Sequence, residues 1–353
     1  MKKLIPLFLA GALMVGMSAC GGSSAEPSTA PTGDSGASGG SEYDDIKIAV
    51  MLSGPPTDGG YCQQGADGVR AIQEKYGLDD SQVAIIDSVT TADMARSEAE
   101  NMAAEGYKVI FGQGGEFAEY FSEVAPDYPD TWFVTNGGSV VGENQFPMCM
   151  STEEGGYVCG VIAGMMTKTN TVGVIAGGDW PSFTKPGVGF ALGAKSVNPQ
   201  VEILETVLDG PDGEAAYAAV QEQLAAGADV IFSNTNEAQP SALQAVQENG
   251  KARAFGMLGN YTEYAPEQLM GNVLCDYVEA YRQATEAIMA GTITESAPMF
   301  MTTGNGCVNF YWNDAVKAQL STEAVQAVED TFLAIKSGEI QVPNEFEQDQ
   351  ISF

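Results

Sequence analysis

The sequence predicts an α/β protein with two lobes, each built on a doubly wound parallel sheet, around a cleft. Apolar strand-like runs alternate with helical segments from Ile46 onward, and the alternation restarts near Gly155. Near-continuous apolar strands separated by helices are typical of parallel sheets that are covered on both faces. The segments after the strands are rich in Gly, Asn and aromatic residues, which is the expected composition of a ligand cleft.

Residues 1–20 have the layout of an export signal, with a basic start, an apolar segment at 4–15 and the sequence Met17-Ser18-Ala19-Cys20. The apolar segment is too short to span a bilayer, which favours a signal peptide. Because the last four residues resemble a bacterial lipobox, we expect cleavage before Cys20 and lipid attachment to it. An ordinary signal peptide with a chance Cys is the alternative. Residues 21–42 are rich in Gly, Ser, Ala, Pro and Thr, which predicts a flexible tether.

The first half of the folded chain begins with an apolar strand at 46–52. Ala66, Val69, Ile72 and Tyr76 follow at a spacing that predicts a helix. The same alternation continues to residue 135. The predicted elements are a strand at 83–86, a helix at 94–105, a strand at 108–112, a helix at 116–124 and a strand at 131–135.

The second half repeats the pattern, and a tail completes both lobes. Its predicted helices lie at 155–166, 187–196, 214–226 and 240–249, and its strands at 171–176, 201–207, 229–233 and 252–257. The tail holds a strand at 272–275 and helices at 277–290 and 322–336. We assign 43–150 with about 262–303 to the N-terminal lobe and 151–261 with about 304–353 to the C-terminal lobe.

Charge and histidine content exclude several classes of protein. The chain has 15 Lys and Arg against 47 Asp and Glu, a net charge of −32, which argues against a nucleic-acid partner. It contains no histidine, so Ser-His-Asp and Cys-His nucleophilic sites and His-containing metal sites are excluded. We therefore expect no metal, no cofactor and no catalytic residue. Carboxylate-based hydrolysis is the remaining enzymatic alternative, but no close pair of acids stands out at the strand ends.

The cysteines point away from metal binding. Of six cysteines, five remain if Cys20 carries lipid, and no C-x-x-C pair occurs. An odd number in an exported protein predicts free thiols or at most one disulfide. Cys159 lies in an apolar helical segment, where a free thiol behaves as a small apolar side chain.

The loop Asp58-Gly59-Gly60-Tyr61-Cys62-Gln63 directly follows the first strand. In open α/β sheets, ligands bind in the crevice beyond the carboxyl ends of the strands. The glycines allow a ligand to approach the backbone, and Tyr61 offers an aromatic face to a planar group. A βα turn with a surface tyrosine is the alternative interpretation.

Three further groups of candidate ligand-binding residues follow later strands. One offers backbone N–H groups at a helix start, one offers asparagine amides that donate and accept, and one offers a second aromatic wall. In that order they are Gly115, Glu116 and Phe117; Asn136, Asn234 and Asn236; and Trp180 and Phe183. Each asparagine has an alternative role as a helix cap or turn residue, and Trp180 has one as surface cover.

Three segments carry a resemblance to a known family. They are the region from Gly155-Gly156-Tyr157 through Met165-Met166-Thr167-Lys168-Thr169-Asn170, the sequence Leu192-Gly193-Ala194-Lys195-Ser196-Val197-Asn198-Pro199, and the sequence Ala226-Gly227-Ala228-Asp229-Val230-Ile231. Over about residues 46–291 the chain resembles the basic membrane protein family, also called the purine nucleoside-binding lipoprotein family. The resemblance implies a type I periplasmic-binding-protein fold and a substrate-binding role in an ABC transporter.

The resemblance also implies residue roles. Tyr61 and Cys62 stand where the family has an aromatic residue that stacks on a base, followed by Asn. Leu258 and Asn260 stand where the family has two Asp residues, the first of which holds a ribose. Asp276 stands at a position that is often polar and faces the pocket, although a solvated surface carboxylate is its alternative. The loss of the first Asp leaves a purine base, a nucleoside and a different small polar solute open as ligands.

These observations predict an extracytoplasmic, lipid-anchored solute-binding protein of an ABC importer at the cell membrane. The expected ligand is a small planar heteroaromatic solute such as a purine base or nucleoside, bound in the interlobe cleft. The expected partners are the permease and ATPase subunits, and the protein is expected to be a monomer. A ligand-sensing lipoprotein, or a binding protein for another small polar solute, is the alternative.

Overall fold

Two six-stranded sheets make up the folded chain. The computed structural model describes Tyr43 and residues 46–58, 60–293 and 297–344. The expected signal peptide, the tether and the lipidated Cys20 lie outside the described residues, and so does Gly59 of the first loop.

The first half of the chain alternates strands and helices as predicted. Its elements are β1 (Ile48–Met51), α1 (Tyr61–Tyr76), β2 (Val83–Ile86), α2 (Ala92–Ala104), β3 (Val109–Gly112), α3 (Ala118–Val124), β4 (Trp132–Asn136) and β5 (Gln145–Met150). The strand β1 is buried along its whole length, which explains its continuous apolar sequence. Helix α1 ends at Gly77, whose φ of 66° is the left-handed conformation that glycine adopts at helix ends.

The second half repeats this order and leads into a mixed tail. Its elements are α4 (Thr152–Met166), β6 (Thr171–Ala176), α5 (Pro181–Val197), β7 (Glu202–Val207), α6 (Gly213–Ala225), β8 (Val230–Asn234), α7 (Gln239–Asn249), β9 (Arg253–Met257) and β10 (Leu269–Cys275). The tail contains α8 (Tyr277–Met289), β11 (Met299–Met301), β12 (Val308–Trp312), α9 (Asp314–Lys317) and α10 (Thr322–Lys336).

Both sheets are dominated by parallel strands, which confirms the predicted fold class. The first has the order β11-β5-β4-β3-β1-β2 and is parallel throughout. The second has the order β12-β10-β9-β8-β6-β7, and only its edge strand β12 is antiparallel. Helices α1 and α8 cover one face of the first sheet, and α2 and α3 cover the other. Helices α4, α5 and α10 cover one face of the second, and α6 and α7 the other.

The assignment of all of 262–303 to the N-terminal lobe is wrong for β10. This strand pairs with β9 in the second sheet, with Gly271 opposite Phe255. Its residues Leu269, Met270 and Val273 are fully buried there, and this burial accounts for its position. The chain crosses to the first sheet only after Cys275, and α8 then packs against α1.

Hydrogen bonds join the three segments in which the chain passes between the sheets. These segments lie between β5 and α4, between β10 and α8, and between β11 and β12. The backbone N–H of Ser151 donates to the carbonyl oxygen of Met301 at 2.9 Å. The N–H of Asp276 donates to the carbonyl oxygen of Cys307 at 2.8 Å. The three crossings therefore form one connected strip.

A partly buried carboxylate adds to this strip. The N–H of Thr303 donates to Oε2 of Glu154 at 2.6 Å and joins the β11–β12 segment to the first turn of α4. Burial raises the pKa of Glu154 above its ordinary value, and the bond from Thr303 opposes part of that increase. The charged form of Glu154 is therefore less favourable here than in water.

Helices α4 and α5 approach each other closely along a series of glycines. A Cβ on Gly160 would lie 1.9 Å from the carbonyl oxygen of Phe190, and one on Gly193 would lie 2.1 Å from that of Tyr157. Only glycine fits such an approach. The glycines at these contacts are Gly156, Gly160, Gly164, Gly189 and Gly193. The first two of the three segments that carry the family resemblance therefore contribute to the interface of this helix pair.

Helices α4 and α5 start three and six residues earlier than the sequence pattern predicts. Helix α4 begins at Thr152 rather than residue 155, and α5 begins at Pro181 rather than residue 187. Proline is well suited to the first turn of a helix because its φ is already helical and its missing N–H has no partner there. A second proline inside α5, Pro186, concealed this start, since proline in a helix interior normally breaks the helix.

Candidate functional site

The loops at the carboxyl ends of the strands hold the candidate residues in two groups. Tyr61 follows β1 and Asn136 ends β4 in the first sheet. Trp180 follows β6 and Asn234 ends β8 in the second. Within the described residues, the hydrogen bonds and ring contacts of these four side chains stay in their own half of the molecule. The structure thus assembles each group separately.

Asp58 shapes the first loop from within. Its carboxylate accepts hydrogen bonds from the backbone N–H groups of Gly60 at 2.8 Å, Cys62 at 3.1 Å and Gln63 at 3.0 Å. Partial burial would raise the pKa of Asp58, but these donors together lower it below its ordinary value. The carboxylate therefore holds the start of α1 in place, and its lone pairs are already engaged.

Tyr61 is the exposed aromatic residue of the first group. Its side chain is 40% exposed, and its hydroxyl donates to the carbonyl oxygen of Asn136 at 3.3 Å. The ring of Tyr277 meets it edge to face, with centroids 6.1 Å apart. Desolvation raises the pKa of Tyr61, and the nearby charge of Glu116 adds to this effect, so the hydroxyl stays protonated. The hydroxyl of Tyr61 and its contact with the Tyr277 ring fix the position of the Tyr61 ring, while part of that ring remains exposed to solvent.

Gln113, which the sequence interpretation missed, lies beneath Tyr61. It is fully buried directly after β3, and its Nε2 donates to the carbonyl oxygen of Tyr61 at 2.8 Å. Its Oε1 accepts from Nδ2 of Asn136 at 3.2 Å and from the hydroxyl of Tyr281 at 2.6 Å. The available signal was a glutamine at the end of an otherwise apolar strand, where a buried amide needs several polar partners.

Cys62 turns away from the open side of the loop. Its side chain is 6% exposed, and its Sγ lies 4.0 Å from Oγ of Ser53. Burial raises the pKa of the Cys62 thiol, so it stays protonated at neutral pH. Although the sequence placed Cys62 among the ligand-binding residues, its side chain lies inside the fold behind the loop.

The segment after β3 offers its backbone but not the aromatic side chain of Phe117. Phe117 is 1% exposed and belongs to the core, and its N–H donates to the carbonyl oxygen of Gly114 at 3.4 Å. Glu116 is exposed. A Cβ on Gly115 would lie 3.1 Å from the backbone nitrogen of Gly138, so the loops after β3 and β4 touch at this glycine.

Trp180 is the most exposed aromatic candidate. Its side chain is 55% exposed, and its ring lies 5.9 Å from that of Phe183, centroid to centroid, at 52°. A Cβ on Gly178 would lie 2.0 Å from the Trp180 ring, so this glycine lets the indole fold back over its own loop. Trp180 and Phe183 therefore form one aromatic cluster at the start of α5.

Asn234 supports the start of α5. Its Nδ2 donates to the carbonyl oxygens of Ser182 at 2.9 Å and Phe183 at 3.1 Å. The carbonyl of Ser182 is the one that residue 186 would satisfy in a regular helix, but Pro186 has no N–H. Asn234 is 1% exposed, and its Oδ1 accepts no hydrogen bond from the described residues. Asn236 is exposed, with a φ of 46° that asparagine tolerates well.

The loop after β9 is organised by side-chain hydrogen bonds. Oδ1 of Asn260 accepts from the backbone N–H of Thr262 at 3.1 Å and from its hydroxyl at 2.8 Å. Leu258 has a φ of 65°, a conformation that a leucine rarely adopts. Asn260 therefore acts as a turn residue here, and Leu258 occupies a backbone position that suits Asp, Asn or Gly better.

Asp276 caps helix α8. Its Oδ1 accepts from the backbone N–H of Glu279 at 2.9 Å, and the residue is exposed. It borders a depression of about 280 Å³ between α1 and β12, whose lining includes Gln64 and Tyr311. Asp276 therefore caps α8, a role that the sequence interpretation did not include, and it also borders a surface concavity at a crossing between the sheets.

A buried ion pair near this crossing was also missed. Nζ of Lys185 lies 4.0 Å from Oε2 of Glu153, and both residues are buried. Burial raises the pKa of the neighbouring Cys275 to about 12, an increase that the Lys185 charge opposes. No disulfide joins the five described cysteines to one another, and no metal-binding cluster of His, Cys, Asp or Glu occurs among the described residues.

The architecture and the chain's similarity to known proteins now define its class. Two parallel sheets with candidate ligand residues at their carboxyl ends are the architecture of a two-lobed binding protein. Residues 45–345 match the family model Bmp, described as ABC transporter substrate-binding protein PnrA-like. The chain belongs to this family, whose members are extracytoplasmic substrate-binding components of ABC transporters and not enzymes.

Two curated relatives carry different names. A transcriptional activator protein, Med, from Bacillus subtilis is 28% identical over 70% of this chain and 76% of the relative. A purine-binding protein from Brucella abortus is 26% identical over 84% of this chain and 82% of the relative. A solved structure, a transcriptional activator of the comK gene from Bacillus halodurans, shares the fold with a TM-score of 0.69 and 24% identity, covering 84% of this chain and 100% of that one.

No helix within 46–58, 60–293 and 297–344 combines the length and the apolar character needed to cross a membrane.

Proposed function

We propose that this protein binds a small, planar, uncharged heteroaromatic solute, such as a purine base or nucleoside, and delivers it to the permease of an ABC importer. The observation that carries the proposal is the pair of exposed aromatic side chains at strand ends, Tyr61 in one half and Trp180 in the other. A base between two such rings would gain stacking energy from both faces. The purine-binding relative supports the same ligand class.

Charge argues for a neutral solute. The chain carries a net charge of −32, and the loops around Tyr61 contribute Asp58 and Glu116. In the second half, the buried cation Lys185 lies beside Glu153. A nucleotide would bring further negative charge into this field, so bases and nucleosides are better matched to it than their phosphates.

A free base is expected to bind at least as well as its nucleoside. The family position that holds a ribose with a carboxylate is Leu258 here, and Asn260 uses its oxygen in the turn to Thr262. Calorimetry with adenine, adenosine, AMP and glucose tests the ligand class directly. We expect adenine and adenosine to bind, and AMP and glucose not to. Binding of glucose alone would refute the heteroaromatic class.

Lipid attachment at Cys20 is the second part of the proposal. Its support is the lipobox-like Met17-Ser18-Ala19-Cys20 after a short apolar segment. The Cys20→Ala variant is expected to leave the membrane fraction, whereas the parent stays there after a salt wash. A variant that remains with the membrane would contradict lipid anchoring at this residue.

A ligand-sensing role is the second candidate, because one relative is named a transcriptional activator. Both roles need ligand binding, so binding alone does not separate them. The separating measurement is ATP hydrolysis by the cognate permease and ATPase in proteoliposomes. Stimulation by the ligand-loaded protein supports import, and its absence with intact ligand binding supports sensing.

A further inference from the structure

Gln113 joins three elements of the first half through one buried amide. It follows β3, its Nε2 reaches the carbonyl oxygen of Tyr61 at the start of α1, and its Oε1 reaches Asn136 at the end of β4 and Tyr281 in α8. Two of these partners, Tyr61 and Asn136, are candidate ligand residues. Gln113 itself is fully buried and does not face solvent.

The orientation of this amide is determined by its partners. The carbonyl oxygen of Tyr61 only accepts, so the atom facing it at 2.8 Å must be the donor Nε2. The opposite atom is then Oε1, which accepts from Nδ2 of Asn136 and from the Tyr281 hydroxyl. The Gln113 amide thereby also orients the amide of Asn136.

Gln113 has no room to move. A Cβ on Gly65 in α1 would lie 2.8 Å from Cδ of Gln113, so the helix packs directly on this amide. We propose that Gln113 is a positioning residue that fixes Tyr61 and Asn136 relative to each other, so that both contact the same ligand. In this arrangement Tyr61 stacks on the ligand and Asn136 forms hydrogen bonds with its edge. This inference rests on the proposed binding of a planar solute at Tyr61.

The chain offers a matched control in Gln223. This glutamine is also buried, its Nε2 donates to the carbonyl oxygen of Val174 at 3.0 Å and the hydroxyl of Thr206 at 2.9 Å, and it also lies against a glycine, Gly173. It lies between α6 and the second sheet and has no bond to a candidate ligand residue. Gln223→Met removes three hydrogen bonds in the second half, outside the group of residues that Gln113 joins.

The first measurement needs no ligand. Hydrogen–deuterium exchange of the backbone amides at 60–66 is compared in the parent, Gln113→Met and Gln223→Met. We expect faster exchange in this segment for Gln113→Met only, although both variants lose thermal stability. If Gln113→Met does not fold, Gly65→Ala provides a second variant, because its methyl group displaces Gln113, and the same faster exchange is expected.

The second measurement is a double-mutant cycle with adenine as the probe. Gln113→Met should weaken adenine binding about tenfold. This factor corresponds to about 1.4 kcal/mol, the typical net contribution of one hydrogen bond. Gln113→Met should cost less affinity in the Tyr61→Ala background than in the parent, since Gln113 acts partly through Tyr61 and partly through Asn136. Gln223→Met should bind adenine like the parent.

Unchanged exchange at 60–66 in the Gln113 variant, or additive losses in the cycle, would overturn the positioning role. Failure of the parent to bind adenine would instead count against the proposed ligand class. In that case the exchange measurement still decides whether Gln113 holds the Tyr61 segment.

Discussion

Asn234 donates to the carbonyl oxygen of Ser182, the acceptor that Pro186 leaves without its helical donor. A side chain from the end of β8 thus completes the hydrogen bonding of α5, a helix that carries the aromatic cluster of Trp180 and Phe183. The interaction explains why a helix with an internal proline keeps a regular first turn. Asn234, which the sequence suggested as a ligand contact, therefore has a structural role in α5.

Because Asn234 donates to the carbonyl that Pro186 leaves without a donor, the effects of substituting Asn234 and Pro186 on stability should be coupled. Asn234→Ala should lower the free energy of unfolding by about 1–3 kcal/mol, because the Ser182 carbonyl is left without a donor. In a Pro186→Ala background the cost should be smaller, since the substituted alanine supplies a backbone N–H to that carbonyl. Urea denaturation of both single variants and the double variant measures the coupling. Equal costs of Asn234→Ala in the two backgrounds would refute it.

Tyr61 is expected to contribute stacking energy. Tyr61→Ala should weaken adenine binding by about 5- to 150-fold, which corresponds to roughly 1–3 kcal/mol for one stacked base. Tyr61→Phe keeps the ring and loses only the 3.3 Å bond to the Asn136 carbonyl, so its affinity should stay close to that of the parent. Calorimetry on the three proteins decides the point, and parent-like binding by Tyr61→Ala would exclude stacking here.

Leu258 predicts a change of ligand preference. Its φ of 65° is accessible to Asp and Asn, so Leu258→Asp should keep the loop and add a carboxylate for ribose hydroxyls. Adenosine affinity should rise about tenfold, as expected for a charge-assisted hydrogen bond, while adenine affinity stays unchanged. Leu258→Asn is the matched control, because it has the same shape without the charge. A rise in adenine affinity of equal size would argue against a ribose contact.

Glu154 predicts a pH effect with a defined sign. Its pKa in the folded state is raised above the ordinary value of 4.5, so protonation favours folding. The resulting stability is present at low pH and is lost as the pH rises through the folded-state pKa. Glu154→Gln keeps an acceptor for Thr303 and removes the charge. The free energy of unfolding of Glu154→Gln minus that of the parent should therefore be larger at pH 7 than at pH 4.

Glu279 provides a control of opposite sign for the Glu154 measurement. Hydrogen bonds from Arg282 lower its pKa, so its contribution is present at neutral pH and is lost as the pH falls. Glu279→Gln should destabilise the protein at pH 7 and less so near pH 3. Urea denaturation at several pH values compares the two variants. If Glu154→Gln followed the same trend as Glu279→Gln, the burial effect at Glu154 would be refuted.

Strands with continuous apolar sequences and helices with clear spacing were predictable from the sequence. The apolar residues of such an element follow a regular spacing within a few consecutive positions of the sequence. Strand β8 and helix α10 are examples. Strand β5 was missed because Pro147 lies within it, and proline argues against a strand interior. Strand β11 pairs only with Met148–Met150, so Pro147 falls before that paired stretch.

The position of the candidate residues at strand ends was predictable from the sequence, but their side-chain contacts were not. Position after a strand identified Tyr61, Asn136, Trp180 and Asn234, because the carboxyl ends of parallel strands meet at one edge. The side-chain partners depend on long-range packing that no local pattern records. The bond between Gln113 and Tyr281 joins residues 168 positions apart, and the bond from Asn234 to Ser182 spans 52 positions.

Strands β11 and β12 are the last strands of the described residues in chain order, yet each completes a different sheet as its edge strand. A nascent chain that ends before Met299 has both sheets incomplete and lacks the third crossing between them. Pairings of large sequence separation also slow folding, since long loops must close before the contacts form. We therefore expect both sheets to be complete only once β12 has been synthesised, and a chain shortened before Met299 is expected to be more sensitive to proteases than the full chain.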